Sequence, residues 1–64
     1  MPANNADYAN LLAIAKGSLM ETETFVMLAV RLDYISSTQA DPTLSIITEI
    51  SKMLTTLRNR ILQT

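Results

Sequence analysis

Six charged side chains are the residues of this 64-residue chain best spaced to do chemistry. Glu21, Glu23 and Glu49 are candidates for a carboxylate metal site. Lys52, Arg58 and Arg60 are candidates for contact with phosphate. A carboxylate site inside a helical bundle pairs Glu with Glu-x-x-His motifs on facing helices. This chain has no His, and Glu21 and Glu23 stand about 200° apart on a helix. No metal site and no cofactor are expected. The chain also lacks Cys, which removes a thiol nucleophile and a zinc staple together. Nucleophile elbows and phosphate-cradling loops are absent. No catalytic residue is assigned, and an enzyme is not expected.

Glu21 draws notice because it sits on an apolar stripe, seven residues after Ile14 and seven before Leu28. A carboxylate so placed is partly desolvated and needs a partner. It reads either as a rim residue paired with a cation of the second helix or a neighbouring chain, or as a general acid/base. No second catalytic group accompanies it. Gly17-Ser18 reads either as a close helix crossing or as a notch for a ligand. Lys52, Arg58 and Arg60 read either as a solvated helix end that suits the helix dipole or as a nucleic-acid contact.

The elements that must position these residues are two helices. The first is expected over about 5–35, capped by Asn4 or Asn5, with Asp7 in its first turn. The second is expected over about 42–62, with Asp41 as N-cap and Pro42 at N1, where its missing N–H costs nothing. Residues 36–41 form the loop and residues 1–4 a disordered start. The fold class is all-α, an antiparallel two-helix hairpin, and residues 1–64 form one domain.

In the second helix Thr43, Ile47, Ile50, Leu54, Leu57 and Ile61 recur at the spacing of a bundle seam. The first helix carries two stripes. One holds Tyr8, Leu11, Leu12, Ala15, Leu19, Val26, Ala29 and Val30. The other holds Ile14, Phe25, Leu28, Leu32 and Ile35. Together they are too wide for one helix partner, and a lone hairpin leaves one in water. At this length, hydrophobic burial only about offsets chain entropy. Self-association is therefore expected, as a dimer or higher homo-oligomer completing a four-helix bundle. Its core is expected from Leu12, Ala15, Leu19, Val26, Ile47, Ile50, Leu54, Leu57 and Ile61. A further oligomer interface is expected from Ile14, Ser18, Glu21, Phe25, Leu28 and Leu32.

Net charge is −1 and the pI is near 5.0. That argues against a general nucleic-acid binder. Phe25 to Val30 is the longest apolar run, against about 20 residues for a membrane span. No secretory signal is visible, so a cytoplasmic protein without a membrane partner is expected.

One stretch carries a family pattern. Ala13-Ile-Ala-Lys-Gly-Ser-Leu-Met-Glu-Thr-Glu-Thr24 is followed by Leu32-Asp33-Tyr34-Ile35 and then Glu49-Ile-Ser-Lys-Met-Leu54. It resembles the four-helix-bundle family of 23S rRNA intervening-sequence proteins, which includes accessory proteins of diversity-generating retroelements. Gly17, Ser18, Leu19, Glu21, Glu23 and Thr24 match its first element, and Lys52, Met53 and Leu54 its second. Asp33 stands where that family usually has Gly, and Thr22 where it usually has Leu. The chain looks like the family's third and fourth helices, the C-terminal half of the bundle. The resemblance implies bundles that assemble into rings. Its retroelement members are basic and contact reverse transcriptase and RNA. It therefore implies either a non-enzymatic assembly protein or, as the alternative, an RNA-binding adaptor acting through Lys52, Arg58 and Arg60.

Overall fold

A computed structural model describes residues 4–63. It contains two helices, α1 (Asn5–Arg31) and α2 (Ser37–Gln63), which pack along their length as an antiparallel hairpin. The hairpin measures 46 × 18 × 14 Å. Of the start expected to be disordered, residues 1–4, the first three lie outside the described residues, while Asn4 is fixed as the N-cap of α1.

The start of α1 follows from two polar side chains. Asn4 accepts from the Asp7 backbone N–H at 2.9 Å. The Asp7 carboxylate accepts from the Asn4 backbone N–H at 3.3 Å. This reciprocal box satisfies two N–H groups that a helix start otherwise leaves open. Asn4, not Asn5, is the cap.

The end of α1 corrects the expected boundary. The helix stops at Arg31 rather than near residue 35. Asp33 adopts φ 63°, and two bonds close the turn. The Asp33 N–H donates to the Val30 carbonyl at 3.0 Å and the Tyr34 N–H to the Ala29 carbonyl at 2.9 Å. This is a Schellman ending with Asp where glycine is the usual occupant. The absence of glycine had hidden it.

The start of α2 is a second correction. Asp41 is not the cap, Pro42 is not at N1, and 36–41 is not the loop. Ser36 Oγ accepts from the Gln39 N–H at 3.0 Å, and Gln39 Oε1 accepts from the Ser36 N–H at 2.9 Å. Ser-x-x-Gln is a complete capping box, whereas Asp41 has Leu44 at the reciprocal position and cannot close one. The earlier start also buries Ala40 to 1% exposure. Pro42 is left inside the helix. Its ring suits a helical φ, but it cannot donate to the Thr38 carbonyl.

The two helices meet along one seam of heptad spacing. From α1 it takes Ala9, Leu12, Lys16, Leu19, Glu23, Val26 and Val30. From α2 it takes Ala40, Leu44, Ile47, Ser51, Leu54, Arg58 and Ile61. Ala9, Ala40 and Ile47 are buried, and the rest are half-buried. Ile47, Leu54 and Ile61 belong to the expected α2 stripe. Thr43, Ile50 and Leu57 are exposed, one row to the side. The seam takes Leu44, Ser51 and Arg58 on the other side instead, the more polar of the two rows, so apolar periodicity points to the wrong one.

Candidate functional site: the open apolar face

The seam register is held by two cations. Lys16 Nζ donates to Thr55 Oγ1 at 2.6 Å, and Thr55 Oγ1 donates on to the Ser51 carbonyl at 3.1 Å. Arg58 Nε donates to the Ala9 carbonyl at 3.2 Å. The long side chains reach along as well as across the seam, and they hold Lys16 near Thr55 and Arg58 near Ala9. Both cations lie along the seam with their stems against the apolar row.

On either side of this seam the hairpin has a broad face, and the two differ. One carries shallow grooves between the helices. Ala13, Gly17 and Met20 meet Thr55 and Asn59 across one of them. Met27 and Arg31 meet Ser37 and Asp41 across another. Helical spacing then puts Tyr8, Ala15, Thr22 and Ala29 of α1 on the opposite face, with Thr43, Ile50 and Leu57 of α2. Next to them stand Leu11, Phe25, Ile46 and Met53. This second face is the open apolar one. Phe25 is 68% exposed and Met53 67%.

The expected bundle-core residues divide between the two places. Leu12, Leu19, Val26, Ile47, Leu54 and Ile61 are in the hairpin seam. Ala15, Ile50 and Leu57 are exposed on the open face. The expected oligomer-interface residues Ile14, Ser18, Glu21, Phe25, Leu28 and Leu32 are all exposed. They form a heptad row on α1 turned away from α2, with Leu32 as the C-cap of α1.

Sequence reasoning singled out Glu21, but the carboxylate drawn into the seam is Glu23, which is half-buried. The signal was the spacing of Leu19, Glu23 and Val26, masked because two of the seven α1 seam positions carry charge. Gly17 makes no close crossing with α2 inside the hairpin, which leaves only another copy for the expected close crossing. A Cβ added there meets nothing within 4 Å. Lys52, Arg58 and Arg60 gather in the half of the hairpin that also holds Lys16. Lys52 and Arg60 are exposed and flank an apolar groove with Ile50, Met53 and Leu57. Among the described residues no cluster of His, Cys, Asp and Glu is arranged to hold a metal ion.

The decisive comparison is with families. The sequence profile of the 23S rRNA-intervening sequence protein family matches residues 2–56. The chain belongs to this family. The match takes in all of α1, the turn and α2 as far as Thr56, so Lys52 lies within it and Arg58 and Arg60 lie beyond it. The 23S rRNA-intervening sequence family is a small helical one of four-helix-bundle, non-enzymatic type. No curated protein and no solved structure matches the chain. No helix among the described residues is long and apolar enough to cross a membrane.

Proposed function

We propose that this chain is a non-enzymatic assembly protein of the cytoplasm whose hairpin completes a four-helix core with a second copy. The observation that carries the reading is the open apolar face. It runs the length of a body 46 Å long and 18 Å wide. The whole side of the hairpin that carries it projects to roughly 800 Å², about one partner's share of a standard interface. Contiguous exposed apolar rows of this kind mark association surfaces. Two hairpins stacked on these faces would enclose Ala15, Ile50 and Leu57 beside Leu12, Leu19, Val26, Ile47, Leu54 and Ile61. The supporting context is a family of four-helix-bundle type, of which one hairpin supplies two helices.

The row Ile14, Ser18, Glu21, Phe25, Leu28 and Leu32 points away from α2. In this reading it stays available on the outside for association of dimers. Sedimentation equilibrium across a range of micromolar concentrations tests the proposal. Dimer or higher mass with helical circular dichroism is the expected result. A folded monomer across that range overturns it.

A second reading, an RNA-binding adaptor, draws on the cations Lys16, Lys52, Arg58 and Arg60 grouped in one half of the hairpin. Filter binding of RNA at rising salt tests it. Phosphate contacts give a steep fall in affinity, and a flat, weak response removes this reading.

A further inference from the structure

We propose that Met53 is an oxidation site through which a peroxide releases the second copy. This rests on the self-association proposed above and adds a chemical means of reversing it. The chain has no Cys and no Trp, so its thioethers are the side chains that a peroxide oxidises most readily. Met1 lies outside the described residues. The remaining methionines divide between the two broad faces. Met20 and Met27 line the grooves of one face. Met53 stands on the other, beside Ile50 and Leu57. It is 67% exposed, against 56% for Met27. The same reagent therefore reaches both faces of a free hairpin, but only the open face carries the proposed contact.

Met53 lines a groove with Ile50, Leu54 and Leu57. As a thioether it is a flexible apolar side chain among apolar neighbours, suited to filling the gaps that a second copy leaves. Oxidation changes that. The O–O bond of hydrogen peroxide breaks. One oxygen bonds to the sulfur, and the other leaves as water with both protons. The sulfur gives up two electrons, which reduce the peroxide. The sulfoxide oxygen is a strong hydrogen-bond acceptor and is solvated in the free hairpin. Against Ile50, Leu54 and Leu57 it has no donor, so burying it costs free energy. The donors at hand are Lys52, Thr56 and Arg60. Helical spacing puts them on the outer flank of α2, so an oxygen that reaches them turns out of the contact. A sulfoxide at Met27 escapes the cost, because its face stays in water.

The contact in turn shields Met53. Oxidation then proceeds through the free hairpin and slows as the protein becomes more concentrated. Met27 has no such protection.

Peroxide treatment of the full chain, followed by sedimentation equilibrium, tests the proposal. The parent and Met27→Leu should each lose about tenfold or more in association, the cost of burying one unpaired acceptor. Met53→Leu should lose less than about twofold. Leucine is close to methionine in volume and has no sulfur to oxidise. Peptide mass spectrometry of the parent gives a second measure. Met53 should be oxidised several times more slowly well above the dissociation constant than well below it, and Met27 at one rate throughout. Equal losses in Met53→Leu and the parent overturn the proposal while leaving self-association standing. Oxidation of Met53 at one rate at every concentration does the same. Absence of any dimer before peroxide is added overturns the underlying reading, and the oxidation site falls with it.

Discussion

The two broad faces of the hairpin share the same helices and the same seam, yet they offer a partner opposite things. On one, Ala13 and Gly17 look across a groove at Thr55 and Asn59. On the other, Ile50 and Leu57 stand beside Phe25 and Met53 in water. The seam between them does not follow that division. It mixes Leu12, Leu19 and Ile47 with Lys16, Glu23 and Arg58. A two-helix seam is shallow enough for long side chains to keep their charged ends wet. The rows flanking the seam therefore decide how the molecule associates. They are also where the comparison is most easily broken.

Ile50→Asp carries the largest expected effect. Ile50 is exposed in the apolar row of the open face, so association through that face buries a carboxylate from each copy. Burying two like charges without partners should raise the dimer dissociation constant at least about a hundredfold, or roughly 3 kcal/mol. Thr48→Asp is the matched change on the grooved side, at an exposed position. It should leave association within about 0.5 kcal/mol of the parent. Sedimentation of both variants checks the pair. Equal effects would abolish the distinction between the faces.

Gly17→Ala tests the grooved face from the other direction. Gly17 is mid-helix, and an added methyl meets nothing within 4 Å. Alanine is better than glycine in a helix interior by about 1 kcal/mol. The variant should therefore gain about 1 kcal/mol in urea unfolding with its association unchanged. A loss instead would mean that the grooved face is a close crossing between copies. Both faces would then be interfaces.

Much of this architecture was legible in the residues. Asn4 and Asp7 at capping spacing, and the 3–4 recurrence of apolar side chains, define both helices and the excess apolar arc of α1. Three details were not legible, each for a physical reason. In α2 the row Thr43, Ile50 and Leu57 and the row Leu44, Ser51 and Arg58 both flank Ile47, Leu54 and Ile61. Hydrophobicity favours the first, while the helix partner takes the second because Ala40 allows close approach at the turn end. At the turn, Asp41-Pro42 is a strong local start signal, but Ser36 and Gln39 satisfy two backbone donors and extend α2 by another turn of packing. In α1 the seam passes through Glu23, so a search for apolar neighbours led to Glu21 instead. The family pattern shows the same limit. Within Gly17-Ser-Leu-Met-Glu-Thr-Glu-Thr24, Leu19 and Glu23 face α2 while Ser18 and Glu21 face away from it. A motif read as one unit serves two surfaces.

Asp33→Gly carries the smallest effect and bounds the two faces at the turn. Asp33 holds φ 63°, a left-handed conformation that strains a residue with a Cβ, though Asp less than most. The two bonds that end α1 depend on it, through the carbonyls of Val30 and Ala29. Glycine adopts this conformation without the penalty but gives up more freedom on folding. The net gain should be about 0.5 kcal/mol, a rise of roughly 2–4 °C in the thermal midpoint for a chain of this size. Because the turn caps the end of the hairpin, the gain should be the same at every protein concentration, with the dissociation constant unmoved. Thermal melts over a hundredfold concentration range separate the cases. If the gain grows with concentration, the turn touches the second copy and belongs to the interface rather than to its edge.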